Sequence, residues 1–315
     1  MDNIQKALFA KEVKQGLRAN PKTLSSKWFY DEIGDQLFVK IMNMPEYYLT
    51  DAEFEIFSTK SAELIEAFGV KDQYFELIEL GAGDGTKTIE LLKALRFHDF
   101  AYRPIDISIN AIENLEARVK REVPEVKVKG AQGEYFTALS SLKSNHPKVI
   151  LFMGSNLGNM LDDQANSFLK ALAEVMNAGD KLLLGLDLIK AEELVLPAYN
   201  DAQGYTAAFN LNLLTRMNNE LGANFEVDSF DHKPKYDYDK GLALSFLESK
   251  KKQTVQIEYL NESFDFEAGE KIFMEVSRKY DDSSIKAISD NTDLKLTNRI
   301  YDSKHWFTDL IFEKQ

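Results

Sequence analysis

The chain has 315 residues, of which 44% are hydrophobic and 28% charged, the composition of a folded protein with an ample core. Its net charge of −13 and isoelectric point near 4.9 argue against a nucleic-acid partner, because this field would repel a phosphate backbone. There is no cysteine, which excludes disulfides, thiolate nucleophiles and zinc–thiolate sites.

The pattern of the residues excludes other classes of site and partner. No run approaches the roughly 18 apolar residues of a membrane span, and the first residues carry acids where a signal peptide needs an apolar stretch. The four histidines are scattered, without the paired spacing of a helical zinc motif. We therefore expect a cytoplasmic monomer that acts on a small molecule and has no metal, nucleic-acid or membrane partner.

Residues 1–55 are predicted to be mostly helical and rich in aromatic side chains. Thr50 and Glu53 have the spacing of a capping box, in which the two side chains satisfy amides of the first helical turn. We expect them to start the helix that enters the next domain.

From about Phe75, short apolar runs alternate with amphipathic stretches. The apolar runs include YFELIEL, AYRPIDIS, KVILFMG and KLLLGLDLI, and the helical stretches include TIELLKALR and DDQANSFLKALAEVM. This alternation is typical of β-α-β units and predicts an α/β fold with a parallel sheet buried on both faces.

The segment after Lys190 begins with a helical stretch through LNLLTRMNNELGA, and two alternating runs follow it, LALSFLESKK and QTVQIEYL, which we predict to pair as antiparallel strands. The last two strand candidates, LKLTNRIYD and WFTDLIFE, are expected to return to the parallel sheet. This predicts two lobes around a shared cleft, one from residues 56–189 and 279–315 and a smaller one from residues 1–55 and 190–278.

The sharpest local signal is ELGAGDGTK at residues 79–87, which follows a predicted strand and opens a helix. Gly81, Gly83 and Gly85 allow a tight turn and a close approach of the backbone to a ligand. Asp106, 25 residues after Gly81 at the end of the next strand, is placed to accept hydrogen bonds from ribose hydroxyls. An ordinary strand-to-helix turn remains the alternative for the loop alone.

The same context describes dinucleotide-binding folds, so a nicotinamide-dependent oxidoreductase and a non-catalytic nucleoside-binding module are alternative functions. The glycines run GxGxG rather than GxGxxG, and no lysine–serine pair of the P-loop type follows. That spacing resembles the first motif of class I methyltransferases, which bind S-adenosylmethionine, a nucleoside sulfonium without phosphates.

The rest of the chain resembles the histidine-specific methyltransferases, which make trimethylhistidine on the way to ergothioneine. The resemblance covers nearly the full length, through PKTLSSKWFYDEIGDQLF, MPEYYLTDAE, LFMGSNLGN, AYNDAQGYTAAFNLNLLTRMNNELGANF and FEAGEKIFMEVSRKY. It implies a class I methyltransferase fold, with a Rossmann-like sheet and a smaller α+β substrate-binding lobe. It also implies S-adenosylmethionine as the cofactor and L-histidine, methylated successively on its α-amino group, as the substrate. The alternative is another amino acid or small amine.

The resemblance assigns residues to the cofactor by matching the family's motifs. The matching residues are Tyr30, Gly81, Gly83, Lys87 and Asp106, with Glu134 and Tyr135 standing where the family has an Asp–Phe pair that contacts the adenine.

The resemblance also assigns the amino-acid site. Tyr47 and Asn159 are implied to orient the amine for catalysis, and Tyr199 to help hold the amino and carboxylate groups. Gly154 is implied to contribute its carbonyl, and Thr206 a supporting hydroxyl.

Glu275 and Ser277 in MEVS match the pair that recognises the imidazole ring, but Ser245 departs from the family. By counting back from Gln253, Ser245 stands in place of a methionine near the ring, and a small polar residue there would enlarge or re-polarise the pocket. Two other polar groups, those of Asp187 and Lys190, are expected to be structural.

Overall fold

The computed structural model describes residues 3–70, 73–141 and 144–315 and divides into two compact units. The first unit comprises Met1–Tyr48 and Lys190–Ser277, and the second comprises Leu49–Ile189 and Arg278–Gln315. The first boundary therefore lies before the predicted position at residues 55–56. The reason is that Ala52 is already buried in the hydrophobic core of the second unit.

Helices and strands cover most of the described residues. The α-helices are α1 (Asn3–Arg18), α2 (Glu32–Met42), α3 (Tyr48–Thr59), α4 (Ser61–Phe68), α5 (Thr86–Leu95), α6 (Ile109–Glu122), α7 (Tyr135–Ser141), α8 (Asp162–Glu174), α9 (Glu192–Val195), α10 (Tyr205–Leu221) and α11 (Asp282–Ser289). Within the described ranges, none of them is long and apolar enough to cross a membrane.

The strands, in chain order, are β1 (Lys22–Thr23), β2 (Phe75–Leu80), β3 (Phe100–Asp106), β4 (Lys127–Val128), β5 (Ala131–Gln132), β6 (Lys148–Phe152), β7 (Lys181–Asp187), β8 (Phe230–Asp237), β9 (Leu242–Ser249), β10 (Gln253–Ile257), β11 (Glu262–Phe266), β12 (Lys271–Arg278), β13 (Leu294–Tyr301) and β14 (Phe307–Lys314). Short 3-10 turns lie at Ser26–Trp28, Asn156–Asn159, Leu196–Tyr199, Val227–Ser229 and Glu258–Leu260.

The second unit is built on an eight-stranded sheet with the order β13-β14-β7-β6-β2-β3-β4, in which β5 also pairs with β3. The strands from β4 to β7 pair in parallel, while β14 is antiparallel to both β7 and β13. The order of the strands reverses between β2 and β6, so the topological switch point lies at the carboxyl ends of these two strands. The predicted Rossmann-like sheet, completed by the last two strands of the chain, is confirmed.

Helices cover both faces of this sheet. Val149 and Leu151 of β6 pack in a core with residues of α3 to α6, whereas Ile150 and Phe152 pack in a second core with residues of α8 and α11. Because both faces of the strand are buried, successive side chains are all apolar, and the strand forms a continuous hydrophobic run in the sequence.

The first unit contains a four-stranded sheet with the order β1-β12-β9-β8 and a separate two-stranded sheet of β10 and β11. Its core includes Phe9 of α1, Leu213 of α10 and Leu247 of β9. The predicted pairing of LALSFLESKK with QTVQIEYL is wrong. Both edges of β9 are taken by β8 and β12, so β10 pairs with β11 instead.

The predicted capping box at Thr50 and Glu53 is also wrong. The helix α3 begins at Tyr48, so Thr50 lies inside its first turn. Glu53 is fully buried, and its carboxylate accepts hydrogen bonds from the Gly154 amide at 2.9 Å and pairs with the Lys87 ammonium. Its role is therefore tertiary rather than local.

Asp187 and Lys190 make buried contacts within their own units. The Asp187 carboxylate pairs with the Lys279 ammonium at 2.6 Å, and both side chains are fully buried. The Lys190 ammonium donates to the Tyr48 hydroxyl at 3.1 Å and lies 4.5 Å from the centre of its ring. Such contacts agree with structural roles for both residues.

The imidazole of His232 in β8 makes the stability of the protein depend on pH. Burial lowers its pKa to about 4, against an opposing effect of Asp201. Between pH 6.5 and 4 the unfolded chain therefore binds a proton that the folded chain does not, so stability falls as the pH falls through this range. We expect His232→Gln to reduce the destabilisation between pH 7.5 and pH 5 by about 2 kcal/mol, measured by urea unfolding. His146→Gln, at an exposed position, is the control, and an unchanged pH dependence in His232→Gln would contradict the prediction.

Candidate active site

The glycine loop lies at the carboxyl end of β2, at the switch point of the sheet. Gly81, Gly83 and Gly85 have φ angles of +73°, +53° and +67°, in the left-handed region that favours glycine. A Cβ atom on Gly83 would meet nothing within 4 Å, whereas one on Gly81 would lie 2.7 Å from the Tyr135 hydroxyl. The backbone at Gly83 is therefore open to a ligand.

The acid predicted to contact a ribose lies beside this loop. Asp106 ends β3, and its Oδ2 accepts a hydrogen bond from the Gly83 amide at 3.4 Å. Burial, with the charges of Asp106 and Glu134, raises the pKa of Tyr135 to about 12, so this phenol is a neutral donor at physiological pH. Four of the predicted cofactor residues, Gly81, Gly83, Asp106 and Tyr135, are thus brought together, with the exposed Glu134 adjacent in the chain.

A second loop follows β6, at the neighbouring strand end. Gly154 has φ +72°, and its amide donates to both carboxylate oxygens of Glu53. Ser155 is held at φ +54°, and its Oγ accepts a hydrogen bond from the Asp187 amide at 3.1 Å. A left-handed conformation at a residue other than glycine costs about 1–3 kcal/mol, so these contacts hold the loop in a conformation that it would not adopt alone.

Close packing fixes the far end of this loop. Gly158 is buried, and a Cβ atom there would lie 2.8 Å from the Arg278 carbonyl oxygen, so a larger residue would have to displace backbone. Asn159 comes next and is exposed. The predicted amine-orienting side chain therefore stands on a fixed backbone and is open to a ligand.

The two loops meet at Lys87, in the first turn of α5. Its ammonium pairs with Glu53, and a Cβ atom on Gly154 would lie 3.7 Å from Lys87 Nζ. Burial alone would lower the pKa of Lys87, but the charge and hydrogen bond of Glu53 outweigh it, and the pKa is raised. One permanent positive charge therefore lies beside both loops.

In the first unit, two of the predicted tyrosines belong to one aromatic cluster. The centre of the Tyr30 ring lies 5.5 Å from that of Phe38 and 5.4 Å from that of Phe209, and the centres of Phe38 and Tyr47 are 6.5 Å apart. Tyr30 is 41% exposed and Tyr47 half-buried, so this cluster presents aromatic surface to solvent.

The helix α10 holds the segment that carries Tyr30. Asp31 caps α2 by accepting from the Gly34 amide at 2.7 Å, and it also accepts from the Asn212 side chain at 2.8 Å. Arg216 donates to the carbonyl of Tyr30 at 3.2 Å. Polar side chains of one helix therefore set the position of the motif KWFYD.

The predicted imidazole pair lies on β12. The Tyr199 hydroxyl donates to Ser277 Oγ at 2.8 Å, and both residues are buried. Glu275 is half-buried and shares the face of Ser277, because residues two apart in a strand point to the same side. Thr206 is buried in the first turn of α10, where its amide donates to the Asp201 carboxylate at 2.8 Å. Tyr199, Glu275 and Ser277 are thus brought together.

Ser245 does not join them, which corrects the prediction for this residue. Its neighbour Phe246 has its ring centre 5.7 Å from that of Phe273, so Phe246 lies on the face of the sheet that bears Phe273 and Glu275. Ser245 therefore points to the opposite face, where it is 2% exposed. The position was found by counting residues, and an offset of one residue in a strand moves a side chain to the other face.

Two residues beside the loops, Glu53 and Asp309, were not predicted as part of the site. The sequence did contain a signal for each of them. Glu53 lies on the helical face that also bears Ala52, Ile56 and Phe57, where a carboxylate is unexpected, and Asp309 interrupts the apolar strand β14.

The model of the S-adenosylmethionine-dependent, histidine-specific methyltransferase family matches residues 9–314. The chain belongs to this family. It is 36% identical over 301 residues to a histidine N-alpha-methyltransferase of Mycolicibacterium smegmatis, with 95% of this chain and 90% of the relative covered. It is 37% identical over 279 residues to that of Mycobacterium tuberculosis, with 88% and 86% covered. A more distant relative, 25% identical over 321 residues with 93% and 89% covered, is an L-tryptophan methyltransferase of Psilocybe serbica.

The second unit of this methyltransferase has the groups that the methyl donor of the family, S-adenosylmethionine, needs. The open backbone at Gly83 admits a nucleoside, and the Asp106 carboxylate beside it can accept from ribose hydroxyls. The Lys87 ammonium, which pairs with Glu53, lies beside both loops, and an ammonium can also pair with a carboxylate such as that of the donor's amino-acid portion. The residues present therefore fit the donor.

We expect Gly83→Leu to abolish binding of S-adenosylhomocysteine, since the new side chain would fill the open side of the loop. Gly69→Leu is a matched control, because Gly69 also has a positive φ, +64°, lies in the same unit, and has nothing within 4 Å of a Cβ atom. Both variants should lose about 1–2 kcal/mol of stability from backbone strain. Calorimetry should show at least a hundredfold weaker binding for Gly83→Leu alone, and equal affinities in the two variants would contradict the prediction.

Proposed function

We propose that this methyltransferase converts L-histidine into N,N,N-trimethyl-L-histidine by successive methylation of the α-amino group. The observation that carries the proposal is the pair of Glu275 and Ser277 on one face of β12, with Ser277 accepting from Tyr199. A carboxylate and a hydroxyl offer an acceptor and a donor, the two partners that a neutral imidazole needs. The names of the two mycobacterial relatives support the same substrate.

S-adenosylmethionine is assigned to the second unit, where it supplies a reactive methyl group on a sulfonium. The backbone of Gly81 and Gly83 approaches the nucleoside, and Asp106 accepts from the ribose. Glu134 and Tyr135 contact the adenine, and Lys87 pairs with the carboxylate. Tyr30 is assigned to the same molecule by the family motif that it matches.

The residues around the amine orient it rather than form a covalent intermediate. Tyr47 and Asn159 hold the α-amino group by neutral hydrogen bonds, together with the carbonyl of Gly154, while the Thr206 hydroxyl supports the carboxylate. Tyr199 lines the same site and donates its proton to Ser277. Positioning of this kind can lower a barrier by about 7–11 kcal/mol. The aromatic faces of Tyr30 and Tyr47 stabilise the growing methylammonium by cation–π attraction.

We expect Asn159→Ala to lower kcat/KM for histidine roughly 30-fold or more, because losing a hydrogen-bond partner that aligns the amine costs about 2–4 kcal/mol in the transition state. Binding of S-adenosylhomocysteine should change little. Asn166→Ala is the control, since Asn166 of the same unit donates to the carbonyls of Ile288 and Asp290, away from the two loops of the site. It should lower stability without lowering the rate, and wild-type turnover in Asn159→Ala would remove Asn159 from the site.

The second candidate function is methylation of another amino acid, which the relative that methylates tryptophan favours. Ser245 no longer supports this alternative, because it lies on the opposite face from Glu275. An apolar side chain in the pocket would leave the Glu275 carboxylate without its partner, which costs roughly 1–3 kcal/mol or more.

We therefore expect histidine to be methylated in preference to the other amino acids when all twenty compete, with the products identified by mass spectrometry. Glu275→Ala should weaken the preference for histidine over leucine at least tenfold, and Glu248→Ala, on the same face of the sheet, should preserve it. If tryptophan or leucine outcompetes histidine in the wild-type protein, the proposed substrate is wrong. If Glu275→Ala keeps the wild-type preference for histidine over leucine, another residue recognises the ring.

A further inference from the structure

Two acidic side chains of the second unit converge in its interior, beneath the loops of the site. Glu53 of α3 and Asp309 of β14 are both fully buried. A Cβ atom on Gly185 of β7 would lie 2.1 Å from Glu53 Oε1 and 3.1 Å from Asp309 Oδ1, so both carboxyl groups approach this one glycine. Gly185 and Asp309 are paired across the two strands. A glycine inside a strand here makes room for a pair of acids.

The hydrogen bonds indicate that the two acids differ in protonation. Glu53 accepts from the Lys87 ammonium and from the Gly154 amide. Neither carboxyl oxygen of Asp309 has a hydrogen-bond donor among the described residues. Two carboxylates this close cannot both be ionised away from water, where one ammonium balances only one of them. Glu53 is therefore the anion, and Asp309 is the group that holds a proton and can donate it to Glu53.

The charged groups around Asp309 agree with this assignment. Burial raises the pKa of Asp309 well above its usual range, the negative charge of Glu53 raises it further, and the positive charge of Lys87 opposes both. The negative charge of Glu79 in β2 also raises the pKa of Lys87. Burial raises the pKa of Glu79 itself to about 7. Above pH 8, Glu79 is therefore mostly ionised.

We propose that Glu53 is a positioning residue of the methyl-transfer site, which holds Lys87 and the Gly154 backbone in place together, and that Asp309 is its proton-holding partner. The Lys87 ammonium is assigned to the carboxylate of the methyl donor, and the Gly154 carbonyl to the amine. The Glu53 carboxylate therefore positions one group that binds the methyl donor and one group that binds the amine. The inference rests on the proposed function for the role of Gly154, but its effect on donor binding does not depend on which amine is methylated.

A second buried ion pair provides a matched control. Lys148 and Asp180 lie 3.2 Å apart and are 6% and 2% exposed, at the amino end of β6, whereas Gly154 follows the carboxyl end of the same strand. Asp180 also accepts from a backbone amide, that of Lys148 at 2.9 Å. The two pairs thus share a buried carboxylate, an ammonium and an amide partner. They differ in their distance from the loops and in the exposure of the lysine, which is 21% for Lys87 and 6% for Lys148.

The experiment compares Glu53→Gln, Asp309→Asn and Asp180→Asn in the full chain. Calorimetry measures binding of S-adenosylhomocysteine, and melting temperatures report on folding. We expect Glu53→Gln to bind at least tenfold more weakly. Asp309→Asn should stay within threefold of the wild type, because an amide can donate to Glu53 as the protonated acid does. Asp180→Asn should stay within twofold even where its melting temperature falls. In turnover assays, Glu53→Gln should also lower kcat, whereas Asp180→Asn should not.

Infrared spectroscopy tests directly whether Asp309 carries a proton. Infrared spectra at pH 8.5, where Glu79 is mostly ionised, should show the carbonyl band of a buried protonated carboxylic acid in the wild type and in Asp180→Asn. The band should be missing in Asp309→Asn. Its absence from the wild type would overturn the role of Asp309 without any reference to activity.

Other outcomes overturn the role of Glu53. Wild-type affinity in Glu53→Gln, or an equal loss in Asp180→Asn, would show that the pair only supports the fold. If Glu53→Gln does not fold, Glu53→Asp keeps the charge but is one methylene shorter, and wild-type affinity in that variant would overturn the proposal in the same way. If the variants instead bind S-adenosylhomocysteine as described while the wild-type protein does not methylate histidine, that result would refute the proposed substrate and leave this inference unchanged.

Discussion

The buried contact of the Glu53 carboxylate with the Lys87 ammonium and the Gly154 amide is the constraint on which the two loops of the second unit depend. A buried carboxylate is stable only while its partners are present, because leaving it unpaired costs several kcal/mol. Neither loop can therefore move away alone. The same carboxylate connects the helix α3, which begins the unit, to the first turn of α5 and to the loop after β6.

Backbone strain in the loop after β6 also shows that surrounding contacts hold this loop in place. Ser155 adopts a positive φ, and Gly158 packs so tightly against Arg278 that a Cβ atom would lie 2.8 Å from a carbonyl oxygen. Such a backbone is stable only when its surroundings determine it, as the Asp187 amide does for Ser155. The reaction needs alignment more than a reactive side chain, and a loop held at both ends keeps Asn159 at one place before any substrate arrives.

The parts that could be predicted from the sequence are those that local patterns encode. The glycine spacing and the continuous apolar strands identify the Rossmann-like sheet and the loop beside Asp106, because backbone geometry and burial determine both. The errors arose where distant contacts decide. Thr50 and Glu53 have the spacing of a cap, yet the partners of Glu53 come from α5 and from the loop after β6. Ser245 shows that counting residues locates a position in a strand and not the face to which it points.

Substrate choice in this family cannot follow from the fold or the cofactor, since relatives that methylate histidine and tryptophan align over most of the same chain. It must come from the side-chain pocket. A neutral imidazole has one N–H donor and one acceptor nitrogen, whereas an indole has only a donor. In the proposed site, Glu275 can accept from either ring. Because Tyr199 donates to the oxygen of Ser277, the serine can donate its own proton in turn, and only imidazole offers an acceptor for it. The second hydrogen bond, rather than the charge of Glu275, is then what separates histidine from tryptophan.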